Sequence, residues 1–510
     1  MVRRKLPSIA AFPPSSRDTA IAEVERYLKP GAQKTKGMGG GLLPALGIML
    51  HDERLCLRAE VLPSPMMTAA GIKIPPEKAK NWGPYIDRAT FRVEANQATS
   101  LNPVIVHHNS IDWKPVYKRL VESVNNYSSK FRFPTDPYSV VQAGDNDQHW
   151  GAVQDYFKNR YSKTNNVFVL DFTRPRSALD PAYSTVKHML SEGGYLSQFV
   201  NFRNCEHARP KDDKERRRSH LVLISIARQI LHKCGFTIWW VTIPKSLPLP
   251  SVFVGVDVFH SPRAYDPKTK TKTGRSSCAA IVIKVVQSHD SPEVGYYSQT
   301  YKRESGQEYE LGSAIEEAVG NAVRFIGVEP RSCVVWRDGV SDVSVSNALQ
   351  QELPGLKRAL SARTQRGEEG GGKVAKMDVP VAFMYCQKRI ATKMFFRSPD
   401  GNVFGMPAGS YMDGLEDARH SSFYINGVSP PVSTPKPVRY IIAHHDKDIG
   451  DVSLAELSWA MCHGYANWPG PIKVPSVCQM AHKLAEFAGG MRDCGESIDH
   501  KGFTNTLHFL

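Results

Sequence analysis

The chain has 510 residues, of which 41% are hydrophobic and 23% charged, and this composition excludes a disordered protein. One hydrophobic core rarely serves more than about 250–300 residues, so the length predicts several domains. Lysine and arginine number 65 against 50 acidic residues, which gives a net charge of +15 and favours a polyanionic partner.

The nine cysteines are scattered and form no Cys-x-x-Cys pair, which argues against a zinc ribbon and a dithiol redox site. We interpret them as reduced thiols of a cytoplasmic protein, with the nucleus as the alternative. Pro13 and Pro14 interrupt the basic amino terminus before a signal peptide could form. No uncharged apolar stretch reaches the roughly eighteen residues that a membrane helix needs, so we expect no membrane partner.

The composition of residues 1–35 predicts a poorly ordered lead-in, and residues 45–65 predict two short strands that end at prolines. An alternating pattern of helices and strands follows, which is typical of a parallel sheet with ligand sites at its carboxyl edge. Its predicted elements are a helix at 113–127, a strand at 167–172, a helix at 181–190, a strand at 198–202, a helix at 219–233 and a strand at 238–243. The charged run 211–218 is interpreted as a solvated loop.

A second α/β unit begins at residue 251. The predicted strands are 252–258, 278–286, 296–302, 332–336, 379–385 and 439–443. The predicted helices are 311–325, 453–465 and 479–488, and the glycine-rich stretch 361–373 is interpreted as a surface insertion.

Two aspartates lie where strands of this second unit end: Asp257 in Val-Gly-Val-Asp-Val-Phe-His and Asp338 in Val-Val-Trp-Arg-Asp-Gly. A carboxylate in a buried strand is unfavourable unless it is paired or binds a cation. Two of them on neighbouring strands can bridge divalent metals, and oxygen ligands favour Mg²⁺ or Mn²⁺ over zinc. Taken singly, each aspartate is also compatible with a strand-end cap.

Four runs resemble the signature motifs of the PIWI domain of Argonaute proteins, in family order and spacing. They are Val-Gly-Val-Asp-Val-Phe-His, Trp-Arg-Asp-Gly-Val-Ser-Asp, Tyr-Cys-Gln-Lys-Arg and Val-Pro-Ser-Val-Cys-Gln-Met-Ala-His-Lys-Leu-Ala, the last closest to the Piwi branch. The resemblance implies an α/β architecture with three parts. These are a lead-in and linker region at 1–112, a MID-like Rossmann-type unit at 113–250 and a ribonuclease-H-like PIWI domain at 251–510.

The resemblance also implies a catalytic set of four residues that binds Mg²⁺ or Mn²⁺. Asp257, Asp338 and His482 match three of them as metal ligands. Glu308 in Gly-Gln-Glu-Tyr-Glu best matches the fourth, with Glu310 and Glu304 as alternatives. Without the resemblance, His482 would be interpreted as a packed helix histidine. A structural or surface role is expected for the remaining histidines near strand or helix ends, His260, His444, His445 and His463.

A second implied site is the pocket that holds the 5′ end of a guide strand. An aromatic side chain, lysines and amides suit a stacked base and a terminal phosphate. Tyr183 and Lys187 lie four residues apart, as do Gln229 and Lys233. The residues that match the pocket are Tyr183, Lys187, Gln198, Gln229, Lys233 and the carboxyl-terminal Leu510.

Three functional hypotheses follow. The first is a guide-dependent endonuclease that binds a small guide RNA, or a guide DNA, and cuts a paired target RNA or DNA. The second is a guide-binding silencing or scaffold module that recruits protein partners of silencing complexes without cutting. The third is a ribonuclease-H-like nuclease or integrase without a guide. No PAZ pattern is found before the MID-like unit, which predicts either a compact active form or a fragment of a longer product.

Overall fold

A computed structural model gives the conformation of most of the chain. It describes residues 13–28, 57–69, 72–78, 82–83, 101–108, 111–126, 132–143, 147–158, 167–173, 181–201, 213–260, 265–266, 271–272, 277–291, 295–303, 311–361, 378–413, 420–430, 433–449, 452–489 and 506–510. The chain divides into two compact units. One comprises Met1–Pro63 and Gln387–Ile441, and the other comprises Ser64–Cys386 and Ile442–Leu510.

The helices of the described residues are α1 (Pro14–Leu28), α2 (Lys114–Asn125), α3 (Asp147–Lys158), α4 (Pro181–Glu192), α5 (Asp213–Lys233), α6 (Gly312–Ile326), α7 (Val345–Ser361), α8 (Leu454–Met461) and α9 (Ser476–Gly489). The strands are β1 (Glu60–Val61), β2 (Met67–Ala69), β3 (Ile72–Ile74), β4 (Asn102–His108), β5 (Ser139–Ala143), β6 (Val167–Thr173), β7 (Leu196–Asn201), β8 (Trp239–Val241), β9 (Ser251–His260), β10 (Tyr265–Asp266), β11 (Thr271–Lys272), β12 (Ser277–Val286), β13 (Gly295–Arg303), β14 (Ser332–Asp338), β15 (Val381–Gln387), β16 (Phe395–Arg397), β17 (Val403–Gly405), β18 (Ser410–Met412), β19 (Ser422–Asn426) and β20 (Val438–His445).

The larger unit contains a parallel four-stranded sheet in the order β5–β4–β6–β7. Its strands are rich in valine, isoleucine and phenylalanine because both faces of a parallel sheet are covered. Helix α2 buries Val116, Leu120 and Val124, which lie at helical spacing, and packs against α5. This is the Rossmann-type arrangement that the sequence predicts for the MID-like unit.

The MID-like sheet begins earlier in the chain than the predicted boundary at residue 113. Strand β4 pairs with both β5 and β6 and is therefore central to the sheet, although it precedes that boundary. The sequence analysis predicts no strand here, and Pro103, the second residue of β4, has no amide hydrogen to donate to a ladder. The other predicted boundary, between residues 250 and 251, stays a prediction.

The same unit contains a second sheet in the order β15–β14–β9–β12–β13. Strands β14 and β15 and strands β14 and β9 run parallel, whereas β12 runs antiparallel to β9 and to β13. Helices α6 and α7 pack against each other, and α9 packs against β9 and β12. This mixed sheet carries both aspartates singled out above, and it is the ribonuclease-H-like sheet of the predicted PIWI domain.

The smaller unit is built around an antiparallel sheet in the order β1–β18–β19–β20 and a β16–β17 hairpin. Helix α1 corrects the prediction of a poorly ordered lead-in. Its Arg17 Nε donates to Thr434 Oγ1, and Asp18 forms an ion pair with Arg397 at 2.7 Å. These contacts join the helix to the β16–β17 hairpin and to Thr434 within the smaller unit.

Two further sequence predictions can be compared with the structure. The loop prediction for the charged run 211–218 is wrong for residues 213–218, because α5 begins at Asp213. Most of the predicted insertion 361–373 lies outside the described residues. Six cysteines of the described segments are present as thiols rather than disulfides. No helix in those segments is long and apolar enough to cross a bilayer.

Candidate active site

The strand register brings the two aspartates together. Trp336 pairs with Gly255 and Arg337 with Val256 in the parallel ladder of β14 and β9. Asp338 and Asp257 follow these pairs directly, so they lie side by side at the point where β14 ends and β9 continues to His260. Both are almost fully buried, with 3% and 6% of their surface exposed.

A close approach between Gly255 and helix α9 brings His482 to these aspartates. A Cβ atom at Gly255 would lie 2.7 Å from the Cys478 nitrogen and still closer to the carbonyl group of Val477. Only glycine permits this approach of the helix backbone to the strand. About one helical turn after Cys478, the His482 Nδ1 atom lies 2.7 Å from Asp257 Oδ2.

One ligand atom from each of Asp257, Asp338 and His482 can be chosen so that all three lie within 4.8 Å of one another. The second oxygen of Asp257 accepts a hydrogen bond from the Val258 nitrogen at 2.7 Å, which fixes the carboxylate orientation. The His482 side chain is 39% exposed, so the site is open to a ligand. Two buried carboxylates suit a hard divalent cation, and the imidazole adds a nitrogen ligand that Mn²⁺ also accepts.

The fourth predicted residue of this site cannot be placed. Glu308 and its alternatives Glu304 and Glu310 lie outside the described residues, so this assignment stays a prediction. The four histidines expected to be structural or exposed are not ligands in the cluster of Asp257, Asp338 and His482. Among them, His463 is fully buried and pairs through Nδ1 with the Trp459 carbonyl oxygen at 2.9 Å.

The predicted guide pocket contains a connected group of polar side chains on β7 and α5. Lys233 Nζ donates to the Ser197 carbonyl oxygen and to Gln198 Oε1, both at 2.8 Å. Gln198 Nε2 in turn donates to Gln229 Oε1 at 3.1 Å. Burial, and next the Lys187 ammonium, hold the pKa of Lys233 well below its ordinary value.

Lys187 on α4 is the second buried lysine of the predicted pocket. Its Nζ lies 5.1 Å from the ring centroid of Phe487 on α9, and only 6% of the residue is exposed. Burial, followed by the Lys483 ammonium, lowers the pKa of Lys187 to about 8. Two buried lysines whose pKa values are lowered by burial and by neighbouring ammonium groups form a site where a bound anion would be strongly favoured.

The remaining predicted pocket residues are placed less completely. Leu510 and Phe487 both pack against the apolar cluster that contains Leu507 and Phe509, and of these residues Phe487 contacts Lys187. Tyr183 lies on α4 one turn before Lys187, and its side chain is not among those described.

Sequence reasoning missed Gly255 and Phe487, which shape the two sites. Gly255 lies two residues before Asp257 in a strand of valines, and a glycine inside such a strand is a signal of close backbone approach. Phe487 lies five residues after His482 on α9, so one helix contributes to both sites. No sequence signal predicted its contact with Lys187.

Comparison with known proteins assigns the family. The Piwi domain family matches residues 175–491, which is more than half of the chain. The chain belongs to the Argonaute/Piwi family. The matched segment contains Asp257, Asp338 and His482 as well as the lysines of the pocket.

Relatives by sequence are Piwi proteins of animals. The chain is 28% identical over 315 residues to the Piwi-like protein Ago3 of Bombyx mori, covering 61% of this chain and 30% of that protein. It is 24% identical over 489 residues to a Piwi-like protein of Dugesia japonica, covering 93% of this chain and 53% of the relative. The chain thus spans between about a third and a half of the length of these relatives.

Solved structures show the same fold. The crystal structure of Drosophila Piwi matches all of this chain with a TM-score of 0.72 and 17% identity, covering 63% of that protein. Kluyveromyces polysporus Argonaute, solved with a guide RNA, matches all of this chain with a TM-score of 0.70 and 14% identity, covering 62% of that protein. This family member therefore has the mixed α/β architecture of Argonaute and Piwi proteins, including a ribonuclease-H-like Piwi domain.

Proposed function

We propose that this Argonaute/Piwi protein binds the 5′-phosphorylated end of a guide RNA and cuts a complementary strand at the site of Asp257, Asp338 and His482. The observation that carries the proposal is the cluster of two buried carboxylates and one imidazole, with ligand atoms within 4.8 Å. Two carboxylates buried side by side carry like charges, and a divalent cation would balance the charge of both.

The lysine pocket supports the guide-binding half of the proposal. A terminal phosphate beside Lys187 and Lys233 would compensate two ammonium groups that are buried and repel each other. The structures of relatives favour the same ligands. Kluyveromyces polysporus Argonaute was solved with a guide RNA, and Clostridium butyricum Argonaute with a guide DNA and a target DNA. For this chain, a guide DNA is therefore the second candidate.

The chain's own residues have defined parts in the proposed reaction. Asp257 and Asp338 would hold Mg²⁺ or Mn²⁺ through carboxylate oxygens, and His482 would add a nitrogen ligand. A bound divalent cation supplies an activated water and stabilises the charge that develops on the phosphodiester. The peptide nitrogen of Val258 orients the Asp257 carboxylate, and Gly255 allows α9 to hold His482 beside it.

Asp338→Asn tests the proposed cutting site directly. A labelled target is incubated with the chain, a complementary 5′-phosphorylated guide and Mg²⁺, and the cleavage rate and guide affinity are measured. We expect the rate to fall by at least about a hundredfold and guide affinity to stay within about twofold, because the lysine pocket is unchanged. Asp290→Asn is the matched control, since Asp290 is an exposed aspartate near Lys73.

Two results would contradict the proposal. If Asp338→Asn cuts the target with Mg²⁺ at the unmodified rate, the assignment of the cutting site is refuted. Guide binding without cutting by the unmodified chain would leave the silencing or scaffold module as its function.

A further inference from the structure

A buried polar cluster lies behind the carboxylate site, on the other side of β14. It consists of Arg337, Glu352 and Tyr385, none of which is more than 2% exposed. Arg337 Nε donates to Glu352 Oε1 at 3.3 Å, and the Tyr385 hydroxyl donates to Glu352 Oε2 at 3.1 Å. A buried ion pair contributes little net stability compared with apolar side chains of the same size, so stability does not account for the cluster.

The Arg337 guanidinium reaches the main chain of the next residue, because its NH1 group donates to the carbonyl oxygen of Asp338. The parallel ladder between β14 and β9 ends with the pair Arg337 and Val256, one residue before Asp338. Gly339 follows with a φ of +84°, so the strand turns away immediately. The Asp338 backbone thus lies beyond the last residue pair between β14 and β9. The hydrogen bond from the Arg337 guanidinium helps to fix its position.

Glu352 is itself held in place by the crossing of α6 and α7. A Cβ atom at Gly312 would overlap the carbonyl oxygen of Gln351, and one at Gly355 would overlap the carbonyl oxygen of Gly312. These two glycines let the helix backbones touch on either side of Glu352. The carboxylate therefore has little freedom, and both of its oxygens are occupied by Arg337 and Tyr385.

The Arg337 guanidinium is permanently charged. The buried Glu352 carboxylate balances that charge through an ion pair at 3.3 Å. A metal ion held by Asp338 would therefore lie near an ion pair rather than near a lone cation.

We propose that Arg337, Glu352 and Tyr385 are positioning residues that hold the Asp338 carboxylate in metal-binding geometry from the opposite face of the sheet. The inference rests on the proposed function, because it assigns these residues to the same metal site. Groups that orient metal ligands typically change metal affinity or activity by about 10- to 100-fold when they are removed.

Tyr385→Phe and Glu352→Gln test the inference, because each keeps the shape of the side chain. Tyr385→Phe removes only the hydroxyl donor, so it remains informative if Glu352→Gln fails to fold. Ser332→Ala is the matched control. It lies at the other end of β14, where its hydroxyl pairs with Ser251 at 2.8 Å.

Mn²⁺ affinity of the guide-free chain is measured by electron paramagnetic resonance, together with melting temperature and the Mn²⁺ dependence of target cutting. We expect Tyr385→Phe to weaken Mn²⁺ binding by about tenfold, and cutting to recover partly at high Mn²⁺. Ser332→Ala should lower the melting temperature without changing Mn²⁺ affinity. A merely structural cluster would instead make Tyr385→Phe behave like Ser332→Ala, which would overturn the inference.

Asp338→Asn in the same titration separates the two proposals. Loss of Mn²⁺ binding in Asp338→Asn, with unchanged binding in Tyr385→Phe and Glu352→Gln, would overturn only the positioning role. Unchanged Mn²⁺ binding in Asp338→Asn would overturn the proposed metal site itself.

Discussion

Replacing Gly255 by alanine should damage the proposed cutting site without altering any of its ligands. The added Cβ would lie 2.7 Å from the Cys478 nitrogen, whereas ordinary contacts begin at 3.4 Å. Helix α9 must therefore move away from β9 by about 0.7 Å at this point, and further at Val477. Because His482 is carried by the same helix, its 2.7 Å contact with Asp257 would be lost.

The expected effect of Gly255→Ala is large for catalysis and moderate for stability. A misplacement of about 1 Å can reduce a catalysed rate by about a hundredfold. Overpacking of a core by one carbon typically destabilises a protein by about 1–3 kcal/mol. Cleavage rate, Mn²⁺ affinity and denaturant midpoint of the purified chain are the three measurements.

Gly320→Ala is the matched control, because a Cβ atom there meets nothing within 4 Å. Gly320 lies inside α6, so alanine should stabilise the chain by roughly 0.5–1 kcal/mol and leave cutting unchanged. The close-approach argument would be refuted if Gly255→Ala cut at the unmodified rate with an unmodified midpoint.

The remaining predictions concern the lysine pocket and a buried histidine. Replacing Lys187 and Lys233 together by methionine should weaken binding of a 5′-phosphorylated guide at least about tenfold more than binding of a 5′-hydroxyl guide, because charge-assisted hydrogen bonds contribute about 1.5–3 kcal/mol each. Equal losses of affinity for the two guides in a filter-binding assay would refute the pocket. Because the pKa of Lys187 is lowered to about 8, affinity for the phosphorylated guide should be constant from about pH 7, where the terminal phosphate is largely ionised, to about pH 8 and should fall above it. An unchanged affinity above pH 8 would contradict this assignment. Burial lowers the pKa of His463 to about 4, so the unfolded chain binds its proton more tightly and stability falls as pH drops from about 6.5 towards 4, by roughly 2 kcal/mol at about pH 5. His463→Gln should flatten this fall in a melting series, and an equally steep fall would show that other groups cause it.

The aspartates of the site were predictable from sequence because a strand of valines with one carboxylate has few interpretations. Asp257 interrupts an apolar run and Asp338 ends a buried strand after Arg337, and neighbouring parallel strands can bring such residues together. His482 was different, since an isolated histidine on an apolar helix is compatible with simple packing. Only the family resemblance indicated His482 as a ligand. The close contact between Gly255 and helix α9 explains how His482 comes to lie beside Asp257.

The polar cluster behind the site could not have been predicted. Glu352 lies in an amphipathic helix, and its sequence neighbours give no reason to expect a fully buried carboxylate. Its burial depends on the crossing of α6 and α7 at Gly312 and Gly355, which are 43 residues apart in sequence. Long-range contacts of this kind leave no local periodicity.

The fold was less predictable where tertiary contacts override local preference. Strand β4 contains Pro103, and helix α5 includes residues 213–218 of the charged run. Both segments are stabilised by what they pack against, since β4 lies between β5 and β6 and α5 packs on α2. Propensity and charge pattern alone predicted a loop or no element in each case.

The position of the cut tests the central claim most directly. Two guides are compared that pair with the same target but whose 5′ ends are displaced by one nucleotide, and the product ends are mapped at nucleotide resolution. If the guide's 5′ end sits in the lysine pocket and the target is cut at Asp257, Asp338 and His482, the cut should move by one nucleotide and leave 3′-hydroxyl and 5′-phosphate ends. A cut that stays at one place for both guides, or that needs no guide, would contradict the account.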